Sequence, residues 1–272
     1  MIPSWLEIHR GDAPLIVSIP HTGTEIPAEI EARLVSPWLG RKDADWHIER
    51  LYDFAAGLGA TTVRTTISRT VIDVNRDPSG ASLYPGQTTT GLCPIETFDG
   101  EPLYRPGGEP GDAEIASRRE TWFAPYHATL AAEIVRLRAD HPRVVLYEAH
   151  SIRSRMPRLF EGELPQFNLG ANSGASCDEA LTAAVEAACD GSGLSRATNG
   201  RFKGGWTTRH YGQPGDGVHA IQMELACRGY MDDPDVLPTP QSWPAPYRPD
   251  QAAPLRATLT DVLQACLTFT RS

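Results

Sequence analysis

The chain has 272 residues, 40% hydrophobic and 22% charged, and its 25 basic and 34 acidic side chains give a formal net charge of −9. That balance gives no support for binding a nucleic-acid backbone, which needs a positive footprint, although a local arginine cluster can still receive a small anion. No apolar run approaches the roughly 18 residues of a membrane span, the opening MIPSWLEIHRGD lacks the basic and apolar regions of a signal peptide, and the odd, scattered cysteines at 93, 177, 189, 227 and 266 suggest neither a disulfide framework nor a thiolate zinc site, so a cytoplasmic enzyme without a membrane partner is expected.

Leu15 to Ile19 is a short apolar run between turn residues, read as a buried strand. Pro20 has no backbone N–H and should stop its ladder, holding His21 just past the strand end. Residues 43–58 have a helical apolar face of Trp46, Leu51, Phe54, Ala55 and Leu58. On that helix Asp45 and Glu49 would share a side. ATTVRTTI reads as a strand, and so does TVIDVNR, with Val71, Asp73 and Asn75 facing one way. Residues 77–111 are rich in Gly, Pro and Thr and form a long excursion. Asp112 is placed to cap a helix to about Ala139, with a break at Pro125.

Arg143 to Glu148 is the next expected strand, with His150 just beyond it. Residues 151–172 have weak periodicity and read as a loop. Ser176 and Glu179 form a capping box for a helix to about Ala188. Residues 199–217 are a glycine-rich loop carrying basic side chains, Arg209 and His210 among them. Val218 to Leu225 should be a strand and residues 251–267 the closing helix. This alternation predicts one α/β domain over residues 1–272, with a mixed, mostly parallel central sheet and helices on both faces. Long loops near 77–111, 151–172 and 199–217 would border its site.

In such sheets chemistry collects in the crevice at the carboxyl ends of the strands. His21 and His150 both fall there, and two imidazoles with a carboxylate suit a metal site that keeps one position open for water. Glu49 and Asp45 are the contending carboxylates, with Glu25 behind them. A lone histidine at a strand end is more often an ordinary hydrogen-bonded side chain, and only the pair together points to a metal. Glu224 lies between apolar residues of a strand, where a carboxylate is costly unless paired or used, and it is the candidate general base. Arg69, Asn75, Arg76, Arg153 and Arg209 could fix a small acidic substrate, arginine binding a carboxylate through two parallel hydrogen bonds. No GxSxG elbow supports a serine hydrolase, and no GxGxxG follows a strand. A non-catalytic protein that binds small acids through these arginines is the rival reading.

The pieces IPHTG (19–23), DADWHIERLYDFA (43–55), SRTVIDVNRDPSG (68–80), YEAHSIRS (147–154), NGRFKGGWTTRHYGQP (199–214) and IQMELACRGYM (221–231) occur in the order that resembles the N-formylglutamate amidohydrolase family. The resemblance implies hydrolysis of N-formyl-L-glutamate to formate and L-glutamate in histidine degradation, with another N-acyl acidic amino acid as the alternative substrate. It implies a fold similar to zinc carboxypeptidases and aspartoacylase, and one divalent metal ion, with zinc expected. His21 and His150 match the metal imidazoles, Glu224 the base, and Asn75 and Arg76 the pair that receives a substrate carboxylate. The carboxypeptidase HxxE spacing is absent, because Thr24 stands three after His21. Glu49 is then favoured as third ligand, with Asp45 close behind, because both belong to the family block. Arg153 or Arg209 would take a second carboxylate, and Arg69 or His210 would face the oxyanion. YEAH stands where the family carries an aspartate before the histidine, which raises the question of whether Glu148 supports His150. The oligomeric state is left open.

Overall fold

The computed structural model describes residues 2–84 and 86–271. Its sheet has seven strands in the order β1-β3-β2-β4-β7-β5-β6: β1 (Leu6–His9), β2 (Leu15–Ile19), β3 (Thr61–Thr65), β4 (Val144–Ile152), β5 (Phe167–Gly170), β6 (Arg196–Thr198) and β7 (Val218–Ala226). The central neighbours β3, β2, β4 and β7 run parallel, while β1 on β3 and β5 on β7 are antiparallel. This is an α/β fold with a mixed, mostly parallel sheet. Short helices α1 (Ala28–Glu31), α2 (Leu39–Lys42) and α3 (Ile48–Leu51) follow β2, and α4 (Asp112–Arg118) and α5 (Ala124–Asp140) lead into β4. The later helices are α6 (Glu179–Asp190), α7 (Trp206–Tyr211) and α8 (Pro249–Thr270).

Side chains alternate along a strand, so each central strand serves two cores. Leu15, Val17 and Ile19 of β2, Val145, Tyr147 and Ala149 of β4, and Ile221, Met223 and Leu225 of β7 join one cluster with Leu181 and Val185 of α6 and Leu259 and Leu263 of α8. Ile16, Val144, Leu146 and Ala220 point the other way and pack with Tyr126, Leu130 and Leu137 of α5. Helices therefore cover both faces. No helix among the described residues is long and apolar enough to cross a membrane.

Several local readings change in the structure. TVIDVNR is not a strand but a buried, irregular turn, because Val71, Ile72 and Val74 all enter one core and leave no solvent-facing side to alternate with. The helix expected over 43–58 is broken: His47 takes a left-handed backbone (φ 66°), α3 starts after it, and a 3₁₀ stretch spans Asp53–Leu58. The helix expected from Asp112 is parted by a wide π turn over Arg119–Phe123, ahead of Pro125 at the start of α5. Asp178, not Ser176, caps α6, since the Ser176 hydroxyl is spent on the carbonyl of Ala220. Strand β4 continues to Ile152, so His150 lies inside it.

Candidate metal centre and active site

On the α5 side of the sheet the chemistry changes along the strands. Leu146 is followed on that face by Glu148 and His150, and Ala220 by Gln222 and Glu224. Parallel register sets Glu148 beside Gln222 and His150 beside Glu224. All four are buried. His21 arrives from the neighbouring strand end, and Gly23 behind it is required by close packing: a Cβ there would stand 2.3 Å from the carbonyl oxygen of Ile67.

Asp45 reaches the two imidazoles from the turn before α3. Its backbone N–H donates to the carbonyl of His21 at 2.9 Å. Its Oδ2 lies 3.0 Å from His150 Nδ1 and 3.7 Å from His21 Nδ1, and it accepts the N–H of Ser151 at 3.2 Å. The imidazole rings are 4.8 Å apart, centre to centre. Among the described residues, His21, Asp45 and His150 form the group of ligand-type side chains whose donor atoms all lie within 4.8 Å of one another.

The surroundings fit a cation. Asp73 is a buried carboxylate 2.7 Å from His21 Nε2, so that nitrogen carries the proton and donates. In the neutral ring Nδ1 is then a bare lone pair; it is buried, has no hydrogen-bond partner, and faces the Asp45 carboxylate. Two acceptors facing each other out of water are unfavourable unless a positive charge stands between them, and a carboxylate behind a histidine is the usual support of a metal ligand. Burial would raise Asp45, but the hydrogen bond from His150 and the neighbouring His21 imidazole outweigh it and hold the carboxyl below its ordinary range. Burial would lower His150, but Asp45 and Glu148 outweigh it and push the imidazole up to about 10. Both shifts say that this cluster attracts positive charge. Burial also pushes Glu224 up to about 7, which suits a group that must take up and give back a proton.

A cavity opens over this floor, and His21, His150, Glu224, Arg69, Asn75 and Arg76 all face it. Asn75 also anchors the glycine-rich segment: its Oδ1 accepts the N–H of Thr207 at 3.0 Å, and its Nδ2 lies 3.1 Å from His150 Nε2. Gly205 makes that approach possible, because a Cβ there would fall 2.3 Å from the Asn75 amide. Arg69 donates to Asp73 at 2.7 Å and stacks over Phe98. Glu148 is held by the hydroxyl of Thr208 at 3.2 Å, with its Oε2 3.7 Å from His150 Nε2.

The other candidates lie elsewhere. Glu49 is half-buried beside Glu7, Tyr52 and Arg64 in a separate groove, because the left-handed turn at His47 removes the helical continuity that would have set it beside Asp45. Glu25 is exposed. Arg153 turns away to Asp99, at 2.6 Å, in a small neighbouring pocket. Arg209 donates to the carbonyl of Gly204 and stacks on the ring of Tyr84, and His210 stacks on Trp206; neither lines the cavity. Two participants were not singled out in the sequence. Asp73 was detectable as a carboxylate among Val71, Ile72 and Val74, which needs a partner once buried. Arg201 carried no distinguishing signal among the basic residues of its loop.

Fold and site together define an α/β protein with a buried His/His/Asp triad suited to a divalent metal ion. Residues 13–231 match the family profile described as N-formylglutamate amidohydrolase. The chain is 47% identical over 267 residues to an N-formylglutamate deformylase of Pseudomonas aeruginosa, covering 98% of this chain and 97% of that one. It is 44% identical over 265 residues to an N-formylglutamate deformylase of Pseudomonas putida, covering 97% and 96%. The chain belongs to the N-formylglutamate amidohydrolase family. Its fold is similar to the crystal structure of an N-formylglutamate amidohydrolase from Ralstonia eutropha, with a TM-score of 0.81, 23% identity and 99% of each chain covered. It is also similar to that of a gene product of Agrobacterium tumefaciens, with a TM-score of 0.70, 17% identity and 99% and 97% covered.

Proposed function

We propose that this protein hydrolyses N-formyl-L-glutamate to formate and L-glutamate, using one divalent ion, zinc, held by His21, Asp45 and His150. The observation that carries the reading is the meeting of His21 and His150, held together by Asp45 behind them, with the buried carboxylate of Glu224 on the floor of one cavity. When bound, the ion supplies Lewis acidity, polarising a carbonyl and making water acidic. The residues do the rest. Glu224 takes a proton from the attacking water as its oxygen bonds to the formyl carbon. Arg69, fixed by Asp73, donates toward the developing oxyanion. Glu224 then delivers its proton to the amide nitrogen as the C–N bond breaks, releasing glutamate and formate. Arg76 receives the substrate carboxylate nearest the scissile amide, while Asn75 keeps His150 and the Gly205–Thr207 segment in place.

The proposal extends to kinship with zinc carboxypeptidases and aspartoacylase, supported by the mixed sheet with imidazoles at its strand ends. It takes residues 1–272 as one domain whose segments near 77–111, 151–172 and 199–217, the last two carrying β5 and α7, border the substrate. Five buried, unpaired cysteines support a cytoplasmic location. Metal analysis of the purified protein should find about one equivalent of a divalent ion. Chelation should stop formate release from N-formyl-L-glutamate, and added zinc should restore it. Full turnover by rigorously metal-free protein would defeat the proposal, and a strong preference for N-acetyl or N-carbamoyl amino acids would redirect it.

A further inference from the structure

The arginines around the cavity differ in what neutralises them. Arg69 is paired with Asp73 at 2.7 Å, and Arg76 lies 3.6 Å from the same carboxylate. Away from the cavity, Arg153 is paired with Asp99, Arg155 with Glu163 and Arg158 with Glu96. Arg201 is the exception on the cavity wall. Its Nε donates to the carbonyl of Leu159 at 2.7 Å and one terminal nitrogen to the carbonyl of Thr88 at 2.9 Å. The rings of Tyr84 and Phe202 flank its guanidinium at 5.5 and 5.4 Å. Among the described residues no carboxylate forms an ion pair with it, although it is half-buried and lines the cavity. Neutral carbonyls and ring faces fix a guanidinium in place without cancelling its charge. A planar fork held in this way, facing a cavity, is suited to a carboxylate arriving from solution.

Position decides which carboxylate. Arg76 adjoins Asp73, which supports His21, so it stands next to the metal floor. Arg201 is bonded to the outer loops, through Thr88 and Leu159. In N-formylglutamate the α-carboxylate is one bond from the carbon bearing the scissile nitrogen, and the side-chain carboxylate lies further out. We propose that Arg201 is the specificity residue that receives the side-chain carboxylate of the substrate, the role that Arg153 and Arg209 do not fill. This assignment rests on the proposed deformylase activity.

The test compares metal-loaded wild type with Arg201→Gln and Arg201→Lys on N-formyl-L-glutamate and on N-formyl-L-glutamine, which differs by a neutral amide at the side-chain carboxylate. The ratio of kcat/KM for the acid over the amide should fall about 10- to 100-fold in Arg201→Gln, mainly through KM for the acid. Arg201→Lys, which keeps charge and loses the fork, should recover part of the ratio. An equal loss on both substrates, or an unchanged ratio, would overturn the assignment. Calorimetric binding of L-glutamate and L-glutamine to the same proteins reads the anchor without turnover: Arg201→Gln should weaken glutamate selectively. If the glutamine variant fails to fold, the lysine variant must show the same selective change in smaller measure, and its absence counts against the anchor. Wild type that binds glutamate selectively through Arg201 yet cannot cleave N-formyl-L-glutamate would instead defeat the functional reading alone.

Discussion

The two faces of the central strands β2, β4 and β7 follow different rules although alternate residues of the same strands build both. Toward α6 and α8 the side chains from Leu15 to Ile19, Val145 to Ala149 and Ile221 to Leu225 are apolar, with the polar His219 and Ser151 only near the outer ends of β7 and β4. Toward α5 the face begins apolar, with Ile16, Leu146 and Ala220, and then turns polar, with Glu148, His150, Gln222 and Glu224. Buried carboxylates among strands are costly unless paired or used. The point where one face changes while the other does not is therefore where stability gives way to function, and it falls at the carboxyl ends of parallel strands.

The sharpest way to separate the faces is Glu224→Gln. It should lower kcat by about 10² to 10⁴ while metal content and melting temperature stay near wild type; an unchanged kcat would remove Glu224 from the base role. On the opposite face of the same strand, Met223→Ala should behave in reverse. It should cost about 2–5 kcal/mol of stability in denaturant titration, with kcat per folded molecule nearly retained. Were it to abolish turnover without unfolding, the division between the faces would fail.

A smaller effect is expected one layer behind the floor. Asp73→Asn removes the charge that supports His21 and should weaken metal binding about 10- to 100-fold, read by competition with a chelator. An effect confined to acid pH lies beneath the site, where His127 of α5 is buried against the carbonyl of Val74 at 2.7 Å. Burial pushes its imidazole down to about 3. The unfolded chain therefore binds a proton, near the ordinary histidine value of about 6.5, that the folded chain refuses. Stability should fall as pH drops below about 6.5 and continue to fall toward 3, at up to roughly 1.4 kcal/mol per pH unit from this group. His127→Gln should flatten that part of the stability profile; an unaltered slope would show that His127 does not set it.

The strand-borne half of the site could be read from sequence because its signals are local. Pro20 ends a ladder and fixes where His21 stands, and two-residue alternation separates Glu224 from Met223. Asp45 against Glu49 could not be settled that way. Both fit one helical side until His47 adopts a left-handed conformation that composition does not announce. The loop arginines were harder still. Whether Arg153 or Arg201 keeps its charge free depends on where Asp99 lies, and that is set by chain folding over the site. The short strands β1, β5 and β6 likewise carry too few residues for a period to show.

The most direct measurement is metal content together with formate release from N-formyl-L-glutamate for Asp45→Ala and Glu49→Ala, prepared side by side. Loss of both metal and turnover in Asp45→Ala, with both kept in Glu49→Ala, is the predicted result. An Asp45→Ala protein that still holds its ion and still releases formate would contradict the His21–Asp45–His150 centre.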